Sequence, residues 1–333
     1  MSDALSAVEQ RTIFDERIRP VVFRHDPAGD APSLVFLVGS PGASAGRAVG
    51  ELAADSEIAV LSARDLRAFH PGYLTLSRSR SPEAQHVLTE SATGWMRSAL
   101  QHARTTRRSL VLEGAGPSPD VVLATTGLFA SSGFTTTVAV VAVPRSESLL
   151  ATASSYLANV RGGNLVPFTP LAEHDAGRDA VSALVEGIER SPTVDRLTII
   201  GRDGTTTFDA SRADPTGFSG AGDALTRGHA TRLSAAESMR WLSELRAVTD
   251  AALSARRLAP PLGEVLITLH ELGLNEILPN LPLPKYSQAR PAAEAALGRQ
   301  LVAIRQAVRD SARVEAPPAP VVAPPQPDRG ISR

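Results

Sequence analysis

Residues Leu34 to Gly50 read LVFLVGSPGASAGRAVG, an apolar run followed by a glycine and proline turn and then the opening of a helix. Five consecutive apolar residues, Leu34, Val35, Phe36, Leu37 and Val38, predict a strand buried on both faces. Gly39 ends that strand, and a helix opening near Gly46 would aim its first amides at an anion. Strand, glycine turn and helix in this order have the layout of a phosphate-binding P-loop. Laid without a gap over the pattern G-x-x-x-x-G-K-[ST], Gly39 takes the first glycine, and Ser40, Pro41, Gly42 and Ala43 fill the variable places. Ser44 then replaces the second glycine, Ala45 the lysine, and Gly46 the hydroxyl that holds magnesium. No other register repairs this, because the only lysine of the chain is Lys285 and Arg47 needs a different loop length. Arginine is in any case a poor substitute for a compact ammonium wrapped by amides.

Outward from the loop, strands and helices alternate. A helix around Arg47 to Asp55 leads to a short second strand, Ile58 to Leu61, the start of a βαβ unit. The SARDLRAFHPGYLTL segment reads as a strand end, one helical turn and a loop opened by Pro71. Further strands are expected at Ser109 to Leu112, which leads into Glu113-Gly114, at Thr137 to Val143, and at Asp195 to Ile200. Helices are expected at 83–106, near 120–131 and at 146–160. The predicted fold class is α/β, a doubly wound mostly parallel sheet closing near residue 210, with an added helical C-terminal region. The domain reading places an N-terminal helical extension at 1–30, the sheet domain at 31–212, a helical region at 225–312 and a proline-rich tail at 313–333.

Composition narrows the function classes. Lys+Arg 34 against Asp+Glu 35 gives no global field toward nucleic acid or a membrane surface, and neither is expected as a partner. The chain has no cysteine, which excludes disulfides and thiolate metal sites. Neither a signal-peptide core nor a membrane-spanning apolar run is present, so a soluble cytoplasmic protein is expected.

Six blocks in order, VGSPGASAGRA, SARDLRAFHPGY, RRSLVLEG, VPRSESLLATASSYL, GGNLVPFTPLAEHD and VDRLTIIGRDG, resemble the zeta toxin family over roughly residues 10 to 210. That resemblance implies a P-loop kinase fold, and its known members phosphorylate UDP-N-acetylglucosamine using ATP or GTP with magnesium. It also shows where this chain departs. Members carry GQPGAGKS or GQPGSGKT at the loop. They also carry an Asp-x-Asp pair before the His-Pro, the second Asp being the base that deprotonates the sugar. Counting back from His70-Pro71, those two places hold Ser62 and Arg64, with Asp65 one residue out of register. The family's Arg-Tyr-Leu appears as Ser155-Tyr156-Leu157, and a second phosphate-facing arginine falls at Asn164. Glu113 is kept as a candidate sugar-binding acid, and the His174-Asp175 pair is also kept.

Three readings stay open at this point. One is a pseudokinase that binds a nucleotide or UDP-sugar. Another is an active divergent kinase using Arg47 and Asp65, with ATP or GTP and magnesium as cofactors only if the site still works. The third is an adaptor whose C-terminal helices and proline-rich tail recruit a protein partner. A first prediction follows from the tail. Ending the chain at residue 315 should leave the melting temperature unchanged, because the segment VEAPPAPVVAPPQPDRGISR, which begins at Val314, has too few apolar residues to pack. Limited proteolysis that removes the tail and also unfolds the remainder would contradict this.

Overall fold

The structure, a computed structural model, describes residues 4–24, 31–43, 58–79, 81–115, 118–164, 166–255, 258–284 and 287–315. The expected apolar run forms β1 (Ser33–Gly39), which is buried along almost its whole length. It lies in the middle of a sheet with β2 (Ala59–Ser62), β3 (Leu110–Ala115), β4 (Thr135–Ala142), β5 (Arg196–Gly201) and β6 (Thr206–Ser211). The order is β2-β3-β1-β4-β5-β6. The first five strands run parallel, and β6 returns antiparallel to β5. Chain order reverses on the two sides of β1, so its carboxyl end opens on a crevice where such sheets bind ligands. The glycine turn sits there.

One face of the sheet carries Leu34, Phe36, Val38, Leu110, Leu112, Val138, Val140, Leu197 and Ile199. Against it pack α4 (Pro82–Thr105), α5 (Pro119–Ala130), α7 (Leu171–Arg190) and α8 (Ala221–His229). Helix α4 starts cleanly because Ser81 caps it and Pro82 takes the first turn, where its missing N–H costs nothing. Its Trp95 is fully buried and donates to the Gln10 carbonyl at 3.0 Å. That bond ties down α1 (Ala7–Ile13), which opens with a Ser6/Glu9 capping box and runs on through a π-helical turn, Phe14–Ile18, and a last α turn, Arg19–Val22. Ile13, Phe14 and Ile18 of this segment enter the same core. On the opposite face Val35, Leu37, Val111, Ala139 and Val141 pack with Ala43.

A second core belongs to the C-terminal helices α9 (Ala235–Leu253), α10 (Pro260–Leu272) and α11 (Ala289–Glu315). It is built on Leu149, Leu150 and Ala153 of α6 (Arg145–Arg161), so the added region packs on the sheet domain mainly through this helix, with Leu171 of α7 at its edge. Among the described residues, no helix is long and apolar enough to cross a membrane.

The expected strands all appear, and the structure adds to them. The segment after Pro71 contains α3 (Tyr73–Ser77) where a loop was expected, and within the expected C-terminal helical region Pro260 and Pro261 open α10. Proline fits both N-terminal places of α10 because those N–H groups have no intrahelical partner. Strand β6 and helix α7 had no counterpart in the sequence reading, and α8 begins at Ala221, ahead of the helical region expected from 225. The helix expected after the glycine turn and the tail beyond residue 315 lie outside the described residues.

Burial fixes how stability should depend on pH. Desolvation holds His174 and His270 below the ordinary imidazole value, and with Arg178 nearby it pushes His229 down to about 4. These histidines are neutral in the fold, whereas the unfolded chain takes up protons below about pH 6.5. Their contribution is complete above that value and is lost as pH falls toward 4. At pH 5 the His229 term alone is on the order of 2 kcal/mol. Urea midpoints measured from pH 8 to pH 4.5 should stay level to about 6.5 and then fall, and His229→Gln should flatten the fall. A midpoint that rises on acidification would contradict this.

Candidate phosphate loop and its adjoining cavity

The loop opens as a tight turn. Ala43 donates its N–H to the Ser40 carbonyl at 2.9 Å, Pro41 stands second and Gly42 third with φ +82°, the signature of a type II turn. Position 42 requires glycine for a second reason. A Cβ there would lie 1.9 Å from the Ser148 carbonyl oxygen and 2.5 Å from Thr152 Oγ1. The loop therefore rests directly on the backbone of α6. The amide of Ala43 is engaged within the turn and is not a donor for a bound anion. Ser40 is buried, and its Oγ has no hydrogen-bond partner. Gly39 forms the end of β1, while Ser44, Ala45, Gly46 and Arg47 lie outside the described residues.

The start of α6 is held by a chain of polar contacts. Arg145 donates twice to Asp175, at 2.8 and 2.7 Å. Those hydrogen bonds, more than any other influence, hold the Asp175 carboxyl below its usual range. Asp175 Oδ1 lies 3.1 Å from His174 Nδ1, and His174 Nε2 lies 3.0 Å from Ser148 Oγ. An ionised Asp175 accepts from a protonated Nδ1, which leaves Nε2 to accept from the serine hydroxyl. Serine, histidine and aspartate thus stand in the order of a nucleophilic triad. Ser148 and His174 are both fully buried, however, so no substrate reaches the hydroxyl, and the contacts act to fix α6 against α7.

On one side of the turn lies a cavity of about 500 Å³ whose wall includes Pro41 and Gly42. It brings together three of the positions singled out in the sequence: Arg64 from α2 (Ala63–Arg67), Ser155 from α6 and Asn164 beyond it. Arg67 joins them one turn after Arg64. The sequence reading missed Arg67, although a three-residue spacing on a helix was signal enough. Its guanidinium is partly buried, donates to Thr89 Oγ1 at 2.9 Å and is held below the ordinary arginine value by desolvation. Ser62 is buried and caps α2, accepting from the Asp65 N–H at 3.1 Å and donating to the Asp65 carboxylate at 2.8 Å. Asp65 is thereby folded back on its own helix and does not line the cavity. Glu113 stands in β3 beside Leu37 and Ser62, also outside the cavity wall. His70 accepts from the Gly72 N–H at 3.0 Å and shapes the turn after α2.

On the other side of Gly42 a second cavity, about 460 Å³, lies between the start of α6 and α9. Arg202 bridges it, pairing with Glu147 at 3.2 Å and with Glu237, while Trp241 donates to the Ser146 carbonyl at 3.0 Å. Carboxylates near the turn line the second cavity, where Glu147 and Glu237 are paired with Arg202. No carboxylate among the described residues lines the 500 Å³ cavity, Ala45 carries no charge and Gly46 carries no hydroxyl.

The family model described as zeta toxin matches residues 21–213. Among solved structures, one from the PezAT chromosomal toxin–antitoxin system of Streptococcus pneumoniae superposes with a TM-score of 0.63 at 19% identity. It covers 74% of this chain and 99% of that one. Two structures of an AvrRxo1-ORF1:AvrRxo1-ORF2 complex, with sulphate ions and native, give TM-scores of 0.47 at 12% and 13% identity. They cover 90% of this chain and 88% and 87% of theirs. No curated protein sequence matches.

The close approach at Gly42 yields a direct test. Gly42→Ala must relieve both a left-handed backbone and a clash with a helix carbonyl, and should destabilise the protein by on the order of 3 kcal/mol in urea unfolding. A loss below about 1 kcal/mol, within the range of ordinary surface substitutions and noise, would refute the contact.

Proposed function

The chain belongs to the zeta toxin family, and from that premise we propose that it is a pseudokinase, a kinase scaffold that binds a nucleotide or nucleotide sugar without transferring a phosphoryl group. The observation that carries this reading is Arg64 in the cavity wall beside the phosphate loop. Phosphoryl transfer rests on positioning and charge: a lysine and arginines on the phosphates, a hydroxyl and a carboxylate on magnesium, and a carboxylate for the acceptor proton. A guanidinium cannot take that proton. Ser155 and Asn164, at the expected arginine places, line the same cavity without a charge. Loss of a single preorganised donor commonly lowers the rate by about 10²–10³, and here several are replaced together.

An active divergent enzyme would need Asp65 as base, and its bonds to Ser62 speak against that role. The PezAT relative belongs to a toxin–antitoxin system, and a protein partner for this chain is proposed on that likeness.

The test compares wild type, the loop triple variant Ser44→Gly, Ala45→Lys, Gly46→Ser, and a five-fold variant adding Arg64→Asp and Ser155→Arg. Wild type should show little magnesium-dependent thermal shift with ATP or GTP and no turnover. The triple variant should gain ATP affinity, since the loop length already matches. The five-fold variant should gain measurable phosphorylation of UDP-N-acetylglucosamine. Wild-type turnover near 1 per second, within the usual kinase range of about 1–100 s⁻¹, would defeat the reading.

A further inference from the structure

The 500 Å³ cavity has an unusual charge balance. Arg64 and Arg67 both face it, and no aspartate or glutamate among the described residues does. The candidate counter-charge Asp65 is occupied by Ser62, and among the described residues no carboxylate forms an ion pair with Arg64. Arg67 spends one nitrogen on the neutral Thr89 hydroxyl, and its buried Nε has no hydrogen-bond partner. Two guanidiniums held on one short helix, without carboxylates and with a buried unused donor, form a partial socket for a dianion. The rest of the wall is uncharged and mixes apolar residues such as Leu88 and Val166 with polar ones, of which Tyr73, Asn159 and Asn164 can bond hydroxyl groups. The cavity volume suits a molecule of sugar size.

We propose that this cavity binds a phosphomonoester carried on a sugar-like scaffold, with the phosphate between Arg64 and Arg67 and the hydroxyls toward Asn159 and Asn164. The proposal rests on the pseudokinase reading in one respect, since Arg64 here receives an existing phosphate where a base would receive a proton. No bond is made or broken. The chain holds an already phosphorylated molecule.

The test uses full-length protein without ATP, so its outcome does not depend on whether any phosphoryl transfer occurs. Glucose 6-phosphate, glucose and inorganic phosphate serve as probes in calorimetry. Glucose 6-phosphate should bind at least tenfold more tightly than glucose, with inorganic phosphate between them. Arg64→Ala should weaken glucose 6-phosphate by roughly tenfold or more, in line with a charge-assisted contact, and Arg64→Glu should abolish binding. Arg64 is exposed, so both variants should fold, and unchanged melting confirms it. Arg67→Lys, which keeps the charge, should weaken binding less than Arg67→Ala. Equal affinity for glucose and glucose 6-phosphate would overturn the proposal. So would absence of saturable phosphate-dependent binding at 10 mM, on the scale of about 3 kcal/mol, or phosphate binding that survives Arg64→Glu. That last result would place the anion on the loop amides. Wild-type phosphoryl transfer in a separate ATP assay would defeat the pseudokinase reading without supplying Arg64-dependent binding.

Discussion

The contact between Gly42 and the backbone of α6 constrains everything around the loop. A residue with any side chain at position 42 would drive the turn off the Ser148 carbonyl, so the loop and the helix are placed as one body. The polar chain from Arg145 through Asp175 and His174 to Ser148 fixes the beginning of that helix on α7. Its next turns divide their duties. Ser148, Thr152 and Ser155 look toward the turn or the cavity, while Leu149, Leu150 and Ala153 anchor the second core. One helix thus sets the shape of the candidate site and is the main support of the C-terminal region.

Its neutral and apolar contacts hold the fold around the loop without the lysine that the P-loop pattern carries. The glycine turn closes with a backbone bond, α2 is capped by Ser62, and α6 is held through buried groups that no ligand touches. None of these depends on a lysine, a metal or a catalytic carboxylate. The two charges among the described residues of the 500 Å³ cavity are both positive, and desolvation of Arg67 with repulsion from Arg64 disfavours the empty cavity.

Much of this was legible in the sequence. Continuous apolar runs marked the parallel strands because burial on both faces leaves no alternation to hide them. The loop register and the family blocks placed positions 64, 155 and 164 together, and the cavity holds all three. What escaped notice had weak local signals. Strand β6 is a largely exposed, polar edge that pairs with β5 through an antiparallel backbone ladder, with Arg196 and Thr198 reaching Asp209 across it. Helix α7 contains Gly177 and Gly187, which dilute its helical pattern. The role of Ser148 comes from a histidine 26 residues away, a contact that no spacing rule announces. Asp65 stands out in the sequence as a spare acid, and its hydrogen bonds with Ser62 are a contact within the helix start that the sequence does not announce.

The central place of β1 bears on how the chain is made. Leu34 meets Leu110 on one side and Thr136 on the other, roughly 75 and 100 residues later in the chain. The most apolar segment of the protein therefore leaves the ribosome long before either neighbour exists. Until β3 and then β4 have emerged, LVFLV lacks one or both partners and is aggregation-prone, and at about 5–20 residues per second the wait for β4 lasts on the order of 5–20 seconds. The early helix Ala7–Ile13, whose docking site on Trp95 also comes later, cannot shelter it alone. Sheet assembly is thus set to begin near the point at which residue 142 is exposed, with the C-terminal helices joining a platform already built.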